Sequence, residues 1–370
     1  MSALTPHVLQ TAHSTAAGTD LDWPAHGEAA VGAVGYGVLA THGAQQALPT
    51  ASVAKTMLAL SVLKKHPLSI GQQGPTLTIT QTDVDSYNAY VSEDGSVTRV
   101  TLGEQITEYQ ALEALLLPSA DNMADTLARW SYGSISAYSD VANNMAASLD
   151  MNATHFGTID ASGLSPTTTS TAHDLVLLGM AAIKNPIIAQ IVAKSYATIP
   201  VAGTVYNYNW LLGSDGINGI KTGNSDQAGG VFLASAKKTF TNGQSITIIT
   251  VVMDPSATLN QALTESESLI TSTESGFTTT TLVHAGQVMG TYHVPWDGTV
   301  NAVASESIDV VTWHGQDITP NISLNSLDTP VAKGTQVGTV TFPNGFGKTS
   351  IIISNSIAAP SWRWRLLHAI

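Results

Sequence analysis

Three short polar motifs, spread between positions 52 and 223, constrain what this chain can fold into. The motifs are Ser52-Val-Ala-Lys55, Ser119-Ala-Asp121-Asn122 and Lys221-Thr222-Gly223. The second and third begin 67 and 169 residues after Ser52. Each motif alone occurs by chance, but the three in this order predict one pocket that holds two hydroxyls and two amines. We therefore expect a fold that brings a helix, a turn and a strand edge together.

Composition excludes several classes of protein. The chain has 370 residues, of which 43% are hydrophobic and 31 are glycine, which is typical of a folded protein with two domains. Its net charge of −13 and its 14 Lys plus Arg argue against a nucleic-acid partner. The absence of cysteine excludes disulfides, cysteine zinc sites and a thiol nucleophile. The 11 histidines are scattered, so we expect no metal and no cofactor.

The order of predicted elements indicates an α+β fold. Residues 28–42 are typical of a hairpin, and helical patterns follow between 52 and 183. Strand-rich runs return at 217–221, 230–236 and 245–253. Strands at both ends with helices between them predict an antiparallel sheet that is covered by helices.

Two further segments carry their own predictions. The polar segment 71–100 alternates in a way that predicts short strands, as at 77–79. From about Thr278, short Thr- and Val-rich runs recur between Gly, Pro and Asn turns. Repeated short strands of this kind predict a small β-sandwich without helices.

The ends of the chain bear on its location. Residues 1–20 have neither a basic start nor an apolar core, so we expect no signal peptide there. No run reaches the roughly 18 apolar residues of a membrane span. Trp and Arg alternate in the tail, 361–370, which is typical of an interfacial membrane anchor or the stub of a removed span. A final strand or a frayed tail explains the same residues equally well.

Ser52 and Lys55 lie three residues apart, so a helix places them on one face. A serine hydroxyl is a poor nucleophile near neutral pH and needs a base at hydrogen-bond distance. Lysine can be that base only if burial and neighbouring cations lower its pKa enough to release its proton. The alternative is that Lys55 is exposed to solvent, as a lysine at this spacing from a serine usually is.

The other two motifs each have a chemical and a structural interpretation. Ser119 could relay a proton from lysine to a leaving amine, although a helix N-cap explains the same residue types. Lys221 ends a strand-like run and offers a permanent cation, and Gly223 lets a substrate backbone lie close. The N–H of Asn224 could join that of Ser52 in an oxyanion hole. An ordinary surface turn is the alternative.

Together with the runs at 160–164 and 227–236, these motifs resemble the serine D-Ala-D-Ala carboxypeptidases, which are low-molecular-mass penicillin-binding proteins. The resemblance covers roughly residues 28–255. It implies a serine β-lactamase/penicillin-binding-protein-like transpeptidase domain, an antiparallel sheet with helices, followed by a small all-β sandwich domain. The implied divisions are an N-terminal extension (1–20), a serine D,D-peptidase catalytic domain (21–277), a β-sandwich domain (278–360) and a basic aromatic tail (361–370).

The resemblance also implies a mechanism. Ser52 attacks a peptidoglycan stem peptide that ends in D-Ala-D-Ala, Lys55 accepts its proton, and Ser119 helps pass that proton to the departing D-alanine. Lys221 and Thr222 hold the terminal carboxylate, and water hydrolyses the acyl-enzyme. The remaining substrate-binding candidates are Asp121, Asn122, Gly223 and Asn224. β-Lactams should acylate the same serine, and the protein should act outside the cytoplasmic membrane, at its outer face or in the cell wall.

Departures from the family pattern leave alternatives open. Where the family usually has asparagine, this chain has Asp121, which could hold Lys55 protonated unless Asn122 faces the cleft instead. No arginine follows the strand at 251–253 to help bind the carboxylate. The alternatives are a D,D-transpeptidase or endopeptidase with the same site, or a catalytically impaired cell-wall-binding homologue. A β-lactamase is disfavoured because the loop at 160–170 has no glutamate to activate water.

Overall fold

The computed structural model describes residues 3–9, 13–14, 20–314 and 317–368, and the chain divides into two compact units. The large unit comprises Asp20–Thr239 and Ser245–Glu274. The small unit comprises Met1–Thr19, Phe240–Gln244 and Ser275–Ile370.

The α-helices of the described residues are, in chain order, α1 (Lys55–Lys65), α2 (Gln81–Ser92), α3 (Glu108–Leu116), α4 (Asp121–Tyr132), α5 (Ile135–Ser148), α6 (Ala172–Ile183), α7 (Pro186–Val192), α8 (Leu259–Ser275) and α9 (Trp362–Leu367). Short 3₁₀ turns form at Ala51–Ala54, Ser214–Gly216 and Pro343–Gly345. Within the described ranges, no single helix is long and apolar enough to cross a membrane, although α6 and α7, bent by 103° from each other, meet the same length and composition test as a pair.

The strands of the described residues are, in chain order, β1 (Pro6–Val8), β2 (His13–Ser14), β3 (Glu28–Ala33), β4 (Gly37–His42), β5 (Leu48–Pro49), β6 (Thr76–Thr78), β7 (Gln105–Thr107), β8 (Thr169–Ser170), β9 (Tyr196–Ile199), β10 (Gly203–Tyr206), β11 (Ile217–Ser225), β12 (Gly229–Thr239), β13 (Ser245–Asp254), β14 (Phe277–Val283), β15 (Val288–Val294), β16 (Gly298–Ala304), β17 (Ile308–Trp313), β18 (Asp317–Ile318), β19 (Asn321–Leu324), β20 (Gln336–Phe342) and β21 (Gly347–Ile353).

The large unit is built on a five-stranded antiparallel sheet in the order β11-β12-β13-β3-β4. Both faces of the inner strands β12, β13 and β3 are buried for most of their length. Along β12, Val231 and Leu233 belong to one apolar core, whereas Phe232 and Ala234 belong to a second core that also contains Leu269 of α8. Burial on both faces explains why the inner strands β12, β13 and β3 are largely apolar. The predicted antiparallel sheet covered by helices is confirmed.

Helix α1 runs through the first core. Its residues from Lys55 to Leu63 are buried except Leu60, and α1 contacts α3, α4, α5 and α6. The helix ends at Lys65, two residues before Pro67, because a proline disfavours helical geometry in the residue before it. Because α1 packs against four other helices, the position of its first residue, Lys55, is fixed by the core.

The prediction of short strands over 71–100 was mostly wrong. Only β6 is a strand there, paired with β7, and helix α2 follows it. Thr80 and Asp83 form a capping box in which the Thr80 N–H donates to Asp83 Oδ2 at 2.9 Å. Of the residues in α2, only Asp83 and Tyr90 are fully buried, so the helix leaves no apolar periodicity in the sequence.

The small unit is rich in antiparallel strands, as the sequence predicts. Its largest sheet has the order β1-β15-β16-β21-β20-β19, and β14–β17 and β18–β2 form further pairs. Residues 6–8, inside the predicted N-terminal extension, supply the edge strand that pairs with β15. Within the tail, 362–367 form helix α9, and the last two residues of the chain lie outside the described residues.

Candidate active site

The three motifs meet at one cavity of about 270 Å³ in the large unit. Among the predicted site residues, those that line it are Ser52, Ser119, Asp121, Thr222, Gly223 and Asn224. Lys55 and Lys221 are buried beside it, and both contact its lining residues. Asn122 is not among the described residues that line the cavity.

Ser52 lies in the 3₁₀ turn that precedes α1, between the strand edge of β11 and the loop at 160–165. Ala51 has a φ of 44°, a left-handed conformation that is uncommon for a residue with a side chain. A β-carbon at Gly223 would lie 3.3 Å from the Ser52 backbone nitrogen, and one at Gly163 would lie 2.4 Å from the Ala51 oxygen. Gly163, whose φ is 78°, needs glycine, and a side chain at Gly223 would be tightly packed, because the loop and the strand lie directly against the turn that carries the nucleophile.

Lys55 contacts three acceptor groups. Its Nζ lies 2.6 Å from Ser52 Oγ, 2.6 Å from Asp121 Oδ1 and 3.4 Å from Ser119 Oγ. The Lys55 side chain is 0% exposed and that of Asp121 is 3% exposed. An ammonium has three N–H donors and no acceptor, so this set of contacts matches the protonated form. The predicted base is thus held as a cation by an adjacent carboxylate in the resting site.

The turn at Ser119 is as unusual as that at Ala51. Ser119 has a φ of 63°, and Ala120, not Ser119, is the N-cap of α4. The alternative that Ser119 serves as an N-cap is therefore wrong, and its hydroxyl is directed to Lys55 instead. Asp121 is the first residue of α4, where the helix dipole stabilises a negative charge. Non-glycine residues in left-handed geometry tend to cluster at functional sites.

Lys221 differs from the sequence-based expectation of a permanent cation. It lies in β11 opposite Leu233, and its Nζ donates to the Thr222 carbonyl at 2.9 Å. Burial is the main cause that lowers the pKa of Lys221 well below 10.5, and the nearby charge of Lys55 lowers it further. Asp121 opposes this shift. The resting site therefore pairs one charged lysine with one that readily gives up its proton.

Asn122 does not take the part predicted for it. Its Oδ1 accepts from the Thr98 N–H at 3.0 Å and its Nδ2 donates to the Thr98 carbonyl at 2.9 Å. Both residues are buried. Asn122 thereby fixes the segment between α2 and β7. Asp94 and Ser96, which belong to this segment, line the cavity.

Asp160 is a site residue whose role the sequence analysis did not assign. Its Oδ1 accepts from the N–H groups of Ser162, Gly163 and Leu164, and its Oδ2 accepts from that of Ser165. One carboxylate thus fixes the loop that packs on the turn at Ser52. The available signal was the turn-rich sequence of this loop, in which Asp commonly bonds to the backbone two residues on.

A larger groove of about 1110 Å³ adjoins the cavity, and the two share Asp94, Leu164 and Asn224. The site is therefore an open cleft with room for an extended chain on one side of the nucleophile. Within the described part of the chain, no group of three or more His, Cys, Asp or Glu side chains could hold a metal ion. The arrangement supplies a hydroxyl nucleophile, two amines and a second hydroxyl, which are the groups needed for acyl transfer.

Comparison with protein families gives two matches. A family model described as D-alanyl-D-alanine carboxypeptidase matches residues 25–257, which is more than half of the chain. A second, described as penicillin-binding protein 5, C-terminal domain, matches residues 277–355.

Individual relatives agree with these matches. The D-alanyl-D-alanine carboxypeptidase DacB2 of Mycobacterium tuberculosis is 33% identical over 208 residues, covering 54% of this chain and 66% of that protein, which is less than two thirds of its length. The ampicillin-bound structure of penicillin-binding protein D2 from Listeria monocytogenes is 26% identical with a TM-score of 0.54, covering 67% and 96% of the two chains. Penicillin-binding protein 5 from Haemophilus influenzae shares the fold at 20% identity, with a TM-score of 0.63 and coverage of 92% and 98%.

Proposed function

The chain belongs to the D-alanyl-D-alanine carboxypeptidase family, and from this premise we propose that it removes the terminal D-alanine from peptidoglycan stem peptides through an acyl-enzyme on Ser52. The observation that carries the proposal is the 2.6 Å contact between Ser52 Oγ and Lys55 Nζ in the cavity where the three motifs meet. The names of the relatives support the same reaction.

Acylation begins when Ser52 Oγ attacks the carbonyl carbon of the penultimate D-alanine. Lys55 starts as an ammonium, so it accepts the serine proton only after passing one of its own protons to Asp121 or to solvent. Collapse of the tetrahedral intermediate breaks the C–N bond, and the departing amine takes a proton through Ser119, whose Oγ lies 3.4 Å from Lys55 Nζ. Water then attacks the ester and releases the shortened peptide.

The terminal carboxylate of the peptide has its partners at the β11 edge of the cavity. Thr222 lines the cavity and Lys221 is buried directly beside it. The negative charge of an incoming carboxylate stabilises the protonated form of Lys221. Lys221 therefore keeps its proton more readily when the substrate is bound than when the site is empty. The carboxylate thus selects a chain end, which makes the reaction that of a carboxypeptidase.

The same geometry accounts for an expected reaction with penicillins. The Listeria relative, 26% identical to this chain, is described in an ampicillin-bound form. We propose that β-lactams acylate Ser52, because their strained amide and carboxylate can occupy the positions of the substrate amide and its terminal carboxylate.

We place this activity at the outer face of the cytoplasmic membrane or in the cell wall, where the proposed substrate lies. The surface charge is sparse, since charged residues make up 11% of the chain. Helix α9 exposes Trp362, Leu366 and Leu367, which supports peripheral contact of the tail with a membrane surface.

Release of D-alanine from a synthetic pentapeptide ending in D-Ala-D-Ala tests this function. We expect release by the full chain, none by Ser52→Ala, and normal release by Ser69→Ala, which removes an exposed hydroxyl of the same unit. Adding an amine acceptor to the assay detects transfer as a new peptide bond. Lack of release by the wild-type chain would contradict the proposal and favour the impaired homologue.

A further inference from the structure

Four aromatic side chains of the large unit are exposed along one short stretch of chain. Tyr196 is 60% exposed, Tyr206 65%, Tyr208 49% and Trp210 57%. Tyr196 and Tyr206 lie on the hairpin β9–β10, and the other two follow it directly. We call these four residues the aromatic strip. An exposed group of large aromatic side chains marks an interaction site more often than a neutral surface does.

The aromatic strip begins at the candidate active site. Tyr208 lines the same cavity as Ser52 and Thr222. Trp210 is held at its edge because its Nε1 donates to Asn260 Oδ1 at 3.3 Å, and the preceding residue, Leu259, also lines the cavity. A polymer that places one substituent at the nucleophile can therefore contact Tyr208 at the wall of the cavity and Trp210 beside it.

The backbone holds the rings outward. After Tyr206, burial alternates, so that Tyr208 and Trp210 are exposed while Asn209 is buried. Tyr206 lies directly opposite Tyr196 in the β9–β10 ladder, with ring centroids 6.5 Å apart. Because the hairpin already holds these rings side by side, little conformational entropy is lost when a ligand binds to them.

The strip carries no formal charge. Residues 195–210 contain no Asp, Glu, Lys or Arg, within a chain of net charge −13. Phosphate-rich surfaces such as nucleic acid or anionic lipid need cations at the contact, and this stretch offers none. Its polar groups are instead hydroxyls and amides, which pair with neutral donors and acceptors. The charge pattern therefore favours a neutral polymer that is rich in hydroxyl and amide groups.

We propose that the aromatic strip binds the neutral glycan to which the stem peptide is attached. The C–H bonds on the flat side of a pyranose ring meet the negative face of an aromatic ring, and the tyrosine hydroxyls hydrogen-bond to the sugar. This inference rests on the proposed function, because the glycan is the part of that substrate that cannot enter the cavity. The aromatic strip then increases the affinity of the protein for stem peptides that are attached to glycan, relative to free peptides.

Binding can be tested without turnover by using Ser52→Ala in the full chain. The probe is a soluble neutral polymer of N-acetylated hexosamine that carries neither peptides nor carboxyl groups, cast into a native gel that retards any protein that binds it. We expect retardation, and we expect the dissociation constant to rise about tenfold when Tyr196→Ala and Tyr206→Ala are combined. Tyr206→Phe keeps the ring and should bind nearly normally.

A matched control removes an exposed apolar side chain elsewhere in the large unit. Leu102 is 63% exposed, and Leu102→Ala should leave retardation unchanged. No retardation of the parent protein, or equal retardation of the double variant, would overturn the proposal. Binding to anionic vesicles that is lost only in the double variant would overturn it too, in favour of a membrane surface.

A second measurement separates this proposal from the proposed function. D-Alanine release is compared between a free pentapeptide and the same peptide attached to soluble glycan strands. We expect the double variant to lose activity on the attached peptide only. Absence of release from both substrates by the wild-type chain would contradict the proposed function, while the binding test on the neutral, peptide-free glycan would still decide the role of the strip.

Discussion

Asp121 Oδ1 lies 2.6 Å from Lys55 Nζ, and the two side chains form an ion pair that is almost completely buried. The same nitrogen lies 2.6 Å from Ser52 Oγ. The predicted base is therefore in position but charged, and the carboxylate beside it sets how readily it can accept a proton. This relation sets the chain apart from the asparagine that the family resemblance leads us to expect at position 121.

We expect Asp121→Asn to accelerate acylation of Ser52 at pH 7. Without the carboxylate, Lys55 has no buried ion pair to break before it can take the proton of Ser52. We expect a gain of about tenfold in rate. The measurement is the second-order rate constant for reaction with a fluorescent penicillin as a function of pH.

Asp125→Asn is the matched control for this change. Asp125 lies one turn further along α4, and its carboxylate accepts from the Ala161 N–H and the Tyr90 hydroxyl. Removing its charge should leave the acylation rate nearly unchanged. Slower acylation in Asp121→Asn would show that the carboxylate assists the proton transfer.

We expect the KM for a D-Ala-D-Ala peptide to rise with pH as Lys221 loses its proton. Because the pKa of Lys221 is well below 10.5, this rise should occur below the usual range for lysine. Lys221→Met should raise KM about 30-fold or more and abolish this pH dependence, since the substrate carboxylate then has no cationic partner there. Lys237→Met, at an exposed position of β12, is the control that should leave KM and its pH profile unchanged.

The parts of the site that could be predicted from the sequence are those that depend on short spacings. Ser52 and Lys55 are one helical turn apart, so their contact follows from the helix alone. The choice between Asp121 and Asn122 could not be predicted in this way. It depends on Thr98, which binds Asn122 from 24 positions away. The charge states of both lysines likewise depend on burial, which a spacing does not reveal.

The fold was predictable to a similar extent. The inner strands of the sheet can be predicted from their apolar runs, because both of their faces are buried. Helix α2 buries only Asp83 and Tyr90, so its pattern resembles a polar loop. Its one usable signal was the capping box of Thr80 and Asp83, which the alternation of the surrounding residues obscured.

We expect Asn122→Ala to destabilise the large unit. The change leaves the backbone N–H and C=O of Thr98 buried without their partner, which costs about 2–4 kcal/mol. Urea unfolding followed by circular dichroism measures the loss in the free energy of unfolding. Asn152→Ala, at an exposed position, should change it by less than about 0.5 kcal/mol. Equal stabilities for the two variants would refute the assigned role of Asn122.

We expect the buried carboxyl of Glu108 to make the free energy of unfolding depend on pH. It is buried at the start of α3, and burial raises its pKa to about 7. Between about pH 4.5 and 7, the folded chain keeps a proton that the unfolded chain has released, so the free energy of unfolding falls as pH rises. Glu108→Gln should remove this component, at most about 3 kcal/mol, from the difference between pH 5 and pH 7.5.

Urea unfolding at these two pH values gives the comparison for Glu108. Glu93→Gln, at an exposed position of the same unit, is the control and should keep the wild-type difference. An identical difference in Glu108→Gln and wild type would show that this carboxyl does not hold its proton in the folded chain.

The most direct test of the central claim is the intact mass of the full chain after incubation with a penicillin. Our account predicts an increase equal to one penicillin, located on Ser52 by peptide mapping and absent in Ser52→Ala. An unchanged mass, or an adduct that persists in Ser52→Ala, would contradict the claim that the cavity at Ser52, Lys55 and Ser119 performs acyl transfer.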